Sequence, residues 1–414
     1  MPPVVPVSHP RGGLFRRIYY VSLGLFSSHT GAGGKGWGAG MRGMDEGGVG
    51  CGADGRASGE AMVAGGAPSS KPAPKPGRLV QYDLVRALAM TFVIIEHSLT
   101  IVNYGRKGDM YFSLCRSLFL TCNALFFLLS GKFNLRASST VNLSLFYAKK
   151  FATILIPTLL FFVFRTFCDL YPTYGAPAEL AHVLLVNMLG GLSNSEYWFL
   201  FRLIGYLVVA PFLAHIAIGL SRGGKRLLLV MGIVWPAITL AARTADILLY
   251  WDLLFGGYIL FFMVGPFVEE LLEGWRTPVL VLVTALSCLV AAYLDIRGVT
   301  TDFIVETPFY VISGIGVFVV LARLGTHMGG AMSCAVGFVA AHSFTVYLVH
   351  IMVLVQISDR LPAVAGPASI ALQWVLAAMT LVVSLATAAV VDGLIMNPLS
   401  KGFMRLYAGV KGGD

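Results

Sequence analysis

The stretch from Tyr82 to Thr100 reads YDLVRALAMTFVIIEHSLT, and it decides the fold class of this chain. It is predominantly apolar, and a helix of about 20 such residues crosses the hydrocarbon core of a bilayer. It nevertheless contains an arginine, a glutamate and a histidine, at Arg86, Glu96 and His97. Ionisable groups at such depth cost about 2.5 to 3.5 kcal/mol each, so they usually face the interior of a bundle or a wet cavity. The stretch therefore predicts a membrane helix that carries a functional site.

The composition of the chain extends this prediction. The 414 residues are 57% hydrophobic and only 12% charged, and the mean hydropathy is +0.77, far from the balance of a soluble domain. Apolar windows of about 20 residues follow one another, and hydrocarbon requires each to be helical because every backbone group must bond internally. The predicted fold class is all-α, a polytopic integral membrane bundle of about ten transmembrane helices. The predicted spans are 84–103, 117–135, 151–168, 197–220, 226–248, 252–271, 277–295, 303–324, 335–358 and 370–392.

The basic residues of alternate loops predict the orientation of the bundle. One set of loops, together with the C-terminus, holds twelve Lys and Arg residues, whereas the opposite set holds six. Because cytoplasmic loops carry the excess, we expect both termini to be cytoplasmic. These loops also account for the formal net charge of +9, and no basic patch interleaved with aromatic residues indicates nucleic acid as a partner.

Composition divides the chain into three parts. Residues 1–77 are rich in Gly, Pro, Ala and Ser without a sustained hydrophobic period, which predicts a disordered cytoplasmic tail. Residues 78–400 form the predicted transmembrane domain, and residues 401–414 form a short basic cytoplasmic tail. The six cysteines contain no C-x-x-C pair, and none lies near a histidine at metal-ligand spacing, so no metal site is predicted.

The ionisable residues of the first span have a defined helical spacing. Arg86 and His97 are eleven positions apart, almost three turns, so they share one helix face about 16 Å apart along the axis. Asp83 precedes Arg86 by one turn and can sit beside it, whereas Glu96 points about 100° away from His97. Two interpretations stay open for His97, a functional site or a neutral histidine satisfied by a neighbouring helix. Arg86 alone is also explained as an anchor at a cytoplasmic helix end.

Four short motifs resemble, in the same order, those of the membrane-bound acyltransferase-3 family. The run YDLVRALAMTFVIIEH (residues 82–97) is similar to the first helix of that family, which has an arginine, ten residues and a histidine. FFLLSG (126–131) is similar to its second-helix motif, EYWFL (196–200) to its Trp-Phe-Leu motif, and VYLVH (346–350) to its late Tyr-Leu-x-His motif. The resemblance covers about residues 80–395.

This resemblance implies transfer of an acyl group, usually acetyl, from cytoplasmic acyl-CoA to a hydroxyl of an envelope polysaccharide or lipid-linked saccharide. By position, His97 would be the essential catalytic histidine and Arg86 the essential arginine. The family often has more arginines in the basic loop before its third helix, where this chain has Lys149 and Lys150, which lack the bidentate fork of arginine. The implied setting is a bacterial plasma membrane, with acetyl-CoA as the donor substrate and no permanently bound cofactor. Glycan-synthesis or export proteins are candidate partners.

The chemistry of these residue types agrees with such a function. A sugar hydroxyl is a poor nucleophile, and a histidine, with an ordinary pKa of about 6.5, is suited to removing its proton during attack on a thioester. Arg86, Lys149 and Lys150 at the cytoplasmic end would hold the phosphates of CoA, whose long arm would extend up the bundle toward His97.

Five other residues are weaker candidates for supporting or acceptor-side roles. His350 has Tyr347 three residues earlier on the same face, and an interhelical hydrogen bond explains this pair as well as a catalytic role does. Ser130, next to a glycine, indicates close helix packing more than a nucleophile. Trp198 is either an interfacial anchor or an acceptor platform, and Arg202 either pairs with an acidic group or binds substrate.

A polytopic transporter is the alternative to an enzyme. In that case Arg86, Glu96, His97 and His350 would form a proton or substrate pathway. Many transporters contain internal repeats with broken helices in corresponding halves, and no such repeat is visible in this sequence. The ordered motifs therefore favour the acyltransferase.

Overall fold

The computed structural model describes residues 79–170, 196–247, 258–301, 303–361 and 366–411, together with the single positions 181 and 185. The predicted tail 1–77 and the beginning of the predicted span 252–271 lie outside the described residues. Every regular element in the described part of the chain is helical, which confirms the predicted all-α class.

Two of the connections between the described helices are π-helical. The α-helices are α1 (Val80–Asn103), α2 (Met110–Phe119), α3 (Thr121–Asn134), α4 (Ser138–Val141), α5 (Leu143–Lys150), α6 (Ile156–Leu170), α7 (Trp198–Gly219), α8 (Arg222–Thr244), α9 (Ile259–Val264), α10 (Val268–Leu271), α11 (Thr277–Ile296), α12 (Pro308–Gly325), α13 (Gly330–Ser358), α14 (Ala368–Val391) and α15 (Asn397–Lys411). The π-helical segments Phe151–Leu155 and Asp392–Met396 join α5 to α6 and α14 to α15.

Nine helical segments of the described chain are long and apolar enough to cross a membrane. They are Val80–Arg106, Met110–Asn134, Leu143–Cys168, Trp198–Gly219, Arg222–Thr244, Thr277–Ile296, Pro308–Gly325, Gly330–Ser358 and Ala368–Val410. Large apolar side chains are exposed on several of them, including Phe212 (64%), Leu282 (59%) and Val382 (65%), a surface suited to lipid. The chain is a multi-pass integral membrane protein, as predicted.

The predicted span 252–271 is interrupted in its described part. Residues 258–271 form two short helices, α9 and α10, separated by a turn at 265–267. Gly265 and Pro266 stand at this turn, and proline breaks a helix because it has no backbone N–H to donate. The sequence pattern predicted a single span here because hydropathy does not register a break of this kind.

The interrupted segment nevertheless passes from one face of the bundle to the other. Tyr258 contacts Trp198 at the start of α7, with ring centroids 5.4 Å apart. Glu270 pairs with Lys225 at 2.8 Å, near the start of α8. Because α7 crosses the membrane before α8 begins, these two contacts lie at opposite faces. The described chain thus contains nine long spans and one broken crossing, in agreement with a bundle of about ten.

The third span begins earlier than predicted because α5 and α6 form one continuous helix. Asn142 caps α5 by accepting a backbone N–H at 2.9 Å. The π-helical segment Phe151–Leu155 then leads into Pro157, whose missing N–H a π turn accommodates. Lys149 and Lys150 therefore lie in the last turn of α5, within this continuous helix, which corrects the expectation that they belong to a loop.

The last span is extended by a similar arrangement. The π-helical segment Asp392–Met396 precedes Pro398, and the helix continues through α15. The predicted basic tail 401–414 is therefore helical through Lys411, as far as it is described.

α1, which contains the stretch from Tyr82 to Thr100, lies at the centre of the bundle. It packs against α2, α3, α12, α13 and α14, and Val85, Ala89 and Leu99 are fully buried. A helix with five neighbours presents little surface to lipid. Its ionisable residues are therefore directed at other helices, which is where such residues are tolerated.

A close helix crossing explains the glycine of the FFLLSG motif. A methyl group on Gly131 of α3 would overlap the backbone carbonyl of Phe262, and one on Gly265 would overlap the carbonyl of Leu128. Only glycine lets the two backbones approach this closely. The motif positions α3 against the interrupted segment.

Candidate active site

A pair of histidines from two helices forms the centre of the candidate active site. His97 on α1 and His350 on α13 have ring centroids 5.2 Å apart, and His350 is completely buried. The rings meet because α1 packs along α13. The first and the last of the four motifs therefore meet in space through their histidines.

His350 is held in a defined orientation by its own helix. Its Nδ1 lies 2.6 Å from the carbonyl oxygen of Tyr347, which makes Nδ1–H the donor and leaves Nε2 as an acceptor. This Nε2 is buried and has no hydrogen-bond partner among the described residues. A buried acceptor of this kind can receive a hydrogen bond from the hydroxyl of a ligand.

Two reciprocal hydrogen bonds, the tyrosine clasp, join the EYWFL motif to the VYLVH motif. The Tyr347 hydroxyl donates to the carbonyl oxygen of Glu196 at 2.6 Å, and the Tyr197 hydroxyl donates to the carbonyl oxygen of Leu348 at 2.8 Å. Tyr197 is fully buried, so its hydroxyl forms a structural hydrogen bond in the protein interior. The clasp ties the start of α7 to α13 within one turn of His350.

An arginine that motif spacing did not single out completes this region. Arg165 on α6 forms an ion pair with Glu196, and the two side chains are only 13% and 11% exposed. Phe162, one turn earlier on α6, packs its ring against Tyr197 at 5.8 Å. The signal available in the sequence is an arginine inside the apolar span 151–168, the same kind of signal that singled out the first span.

A second cluster lies at the other end of α1 and contains Arg86. The Arg86 guanidinium lies 5.9 Å from the centroid of the Phe133 ring, and the Arg136 guanidinium lies 4.8 Å from the same centroid. Asp83 is buried in the first turn of α1. Arg86 and His97 are eleven positions apart, which separates the two clusters by about 16 Å along the helix.

Lysines add positive charge near that end of the bundle. Lys132 pairs with Glu269 at 2.5 Å, and the Tyr82 hydroxyl donates to the same carboxylate at 2.8 Å. Lys149 is exposed, and Lys150 lies over the ring of Phe146, a residue of its own helix. The charge of Lys132 is thus engaged in fixing α1, α3 and α10 to one another.

Comparison with known families matches residues 79–389, about three quarters of the chain, to the acyltransferase domain of the acyltransferase 3 family. The chain belongs to the acyltransferase 3 family. Family membership makes it an acyltransferase enzyme, with an acyl donor and an acyl acceptor as substrates, and decides between enzyme and transporter in favour of the enzyme. No curated protein and no solved structure matches the chain.

Glu96 of this acyltransferase is directed away from the histidine pair, into a separate polar region. Arg116 and Asp295 form a buried ion pair there at 2.9 Å, and the Ser113 hydroxyl donates to Asp295 at 2.6 Å. Glu96 is close enough for both charges to act on it, and its Oε2 is buried without a hydrogen-bond partner among the described residues. Glu96 and His97 are adjacent in α1 but therefore face different parts of the bundle.

The remaining predicted residues of the acyltransferase have mainly structural surroundings. The Arg202 guanidinium lies over the rings of Trp198 and Tyr258, at 5.4 and 5.7 Å from their centroids, a cation–π arrangement. Ser130 lies beside the glycine crossing, and its carbonyl oxygen accepts from Asn134 Nδ2 at 2.8 Å. In the described ranges, no group of three or more His, Cys, Asp or Glu side chains is arranged to hold a metal ion.

Proposed function

We propose that this acyltransferase moves an acetyl or other short acyl group from cytoplasmic acyl-CoA to a hydroxyl of an envelope polysaccharide or lipid-linked saccharide. The contact between His97 and His350 is the observation that carries the proposal. Imidazoles take and return protons near neutral pH, and acyl transfer from a thioester to an alcohol needs a group that does so.

In the proposed reaction His97 acts as the general base. It takes the proton of the acceptor hydroxyl while the hydroxyl oxygen attacks the thioester carbon and the new C–O bond forms. The tetrahedral intermediate then collapses, the C–S bond breaks, and His97 returns the proton to the thiolate of CoA. His350 supports this step by ring contact with His97 and by offering its Nε2 to a second hydroxyl of the acceptor, next to the one that attacks. The products are an ester and free CoA, so no net proton is released.

The donor is proposed to enter at the end of α1 that carries Arg86. Arg86 and Arg136 approach the same aromatic ring, so two guanidinium groups lie close together at this end, and guanidinium groups bind phosphate oxygens well. The long thin arm of CoA would then cover the roughly 16 Å of helix between Arg86 and His97. Lys149 and Lys150 are proposed to add positive charge for the donor at the cytoplasmic end.

Membranes that carry the protein, mixed with labelled acetyl-CoA and envelope glycans, test this proposal. We expect label in the glycan fraction with the parent protein. The His97→Ala variant should lose about 100-fold or more of this transfer, because general base catalysis contributes about 10² to 10⁴-fold. Arg86→Ala should raise the KM for acetyl-CoA.

The His327→Ala variant is the matched control, because His327 is an exposed histidine in the turn after α12. It should transfer label at the parental rate. Parental transfer by His97→Ala, at equal protein level, would contradict the role of His97. A parent that labels no glycan would contradict the substrate class.

A further inference from the structure

We propose that Arg165 stabilises the oxyanion that forms on the thioester carbonyl, and that Glu196 is the positioning residue that holds Arg165 in place. This inference rests on the proposed function, because it assigns a second group to the same acyl-transfer step. In this scheme His97 takes and returns the proton, and Arg165 stabilises the negative charge on the carbonyl oxygen.

A continuous chain of contacts connects Arg165 to the histidine pair. Arg165 pairs with Glu196, and the Glu196 carbonyl oxygen accepts from the Tyr347 hydroxyl at 2.6 Å. The Tyr347 ring lies 5.3 Å from the ring of His350, which lies 5.2 Å from that of His97. Arg165 is therefore tied, through Glu196 and the tyrosine clasp, to the turn of α13 that carries His350.

The surroundings of Arg165 increase the effect of its charge. Its side chain is 13% exposed and that of Glu196 is 11% exposed, so water screens the charge less than it does at a surface. The guanidinium is close enough for its charge to act on both imidazoles. A guanidinium carries five N–H donors in a planar fork, and it can serve a carboxylate and a ligand oxygen together.

The acyl-transfer step needs a positive charge when the tetrahedral intermediate forms. When the hydroxyl oxygen attacks the carbonyl carbon, the C=O π electrons move onto the carbonyl oxygen, which becomes an oxyanion. A fixed cation that meets this charge stabilises the transition state more than the uncharged thioester. The electrons return when the C–S bond breaks and CoA leaves. Arg165 is unchanged at the end, as a catalyst must be.

Kinetics of the Arg165→Ala and Arg165→Gln variants test the inference, with labelled acetyl-CoA and the glycan fraction that the parent labels. We expect kcat to fall by about 10² to 10³-fold, the usual effect of removing one oxyanion donor, while the KM for acetyl-CoA stays within about threefold. Added guanidinium chloride should restore part of the kcat of Arg165→Ala and leave the parent unchanged. Glu196→Gln should lower kcat less, because it loosens Arg165 without removing it.

The matched control is Arg243→Ala, since Arg243 pairs with Glu306 at 2.6 Å in a similar Arg–Glu pair that belongs to α8. It should keep the parental kcat. Parental kcat in either Arg165 variant, a change in KM alone, or a loss of kcat in Arg165→Ala that guanidinium does not restore would each overturn the assignment while leaving the proposed function intact. A parent and a His97→Ala variant that are equally inactive with every glycan would overturn the proposed function and this inference with it.

Discussion

At the residue scale, the candidate site depends on hydrogen bonds from tyrosine hydroxyls to backbone carbonyls as well as on its histidines. The hydroxyls of Tyr347 and Tyr197 donate to the carbonyl oxygens of Glu196 and Leu348. Removing such a donor deletes a hydrogen bond of the interior, which contributes about 0.5 to 1.5 kcal/mol. At Tyr347 the loss also reaches catalysis, because its ring contacts His350 and its bond steadies the partner of Arg165.

The Tyr347→Phe variant should therefore lose both stability and activity. We expect a lower unfolding midpoint in detergent and a kcat reduced about tenfold, as expected when a site loses about 1.4 kcal/mol of transition-state stabilisation. Tyr310→Phe is the matched control, because the Tyr310 hydroxyl donates to the Leu120 carbonyl oxygen at 3.0 Å outside the clasp. It should lower the midpoint by a similar amount and keep the parental kcat. Equal losses of kcat in both variants would contradict a specific role of the clasp.

At the scale of elements, the interrupted segment α9 and α10 is held by close backbone packing. Gly131 and Gly265 each face a backbone carbonyl that leaves no room for a side chain. This packing fixes α3 against the segment that replaces a regular span. The ring of Tyr258, at the start of the same segment, contacts Trp198. The interrupted segment therefore also supports the start of α7.

The Gly131→Ala variant should be destabilised by about 1 to 3 kcal/mol, the usual cost of overpacking a core. Thermal unfolding in detergent measures this change. Gly205→Ala in α7 is the control, because no atom lies within 4 Å of the added methyl group. It should keep or raise the midpoint, since alanine is favoured over glycine in a helix by about 1 kcal/mol. A Gly131→Ala midpoint equal to that of the parent would mean that the crossing is looser than the structure indicates.

At the scale of the whole molecule, two ion pairs on α8 mark the two faces of the bundle. Lys225, near its start, pairs with Glu270, and Arg243, near its end, pairs with Glu306. The first pair lies on the face where the sequence has its excess of Lys and Arg in the loops. That face is the predicted cytoplasmic one.

Single cysteines in a background without the six native ones test this orientation. Gly274→Cys lies between α10 and α11 on the predicted cytoplasmic face, at a position with open space around it. Lys107→Cys lies between α1 and α2 on the opposite face. On intact cells a membrane-impermeant maleimide should label Lys107→Cys alone, and permeabilised cells should show both. Labelling of Gly274→Cys alone on intact cells would reverse the orientation.

The fold class and the character of α1 were predictable from the sequence because both depend on short-range patterns. Hydropathy over about 20 residues identifies a span, and a rise of about 1.5 Å per residue puts Arg86 and His97 on one face of any helix that contains them. The break at Gly265 and Pro266 was less visible, because the composition of that window remains apolar. The helical position of Lys149 and Lys150 depended on a cap and a π turn, which hydropathy does not detect.

Only the tertiary structure decided which side chains form the site. His97 and His350 lie on the first and the late spans, and the bond from Tyr347 to Glu196 joins residues 151 positions apart in the chain. Spacing along a helix determines neighbours within a few turns, whereas contacts between helices depend on how every intervening span packs. The sequence by itself therefore determined a membrane acyltransferase with a histidine on its central helix. The packing of α13 along that helix, and of α6 and α7 against α13, decided that His350 meets His97 and that Arg165 and Tyr347 both contact Glu196.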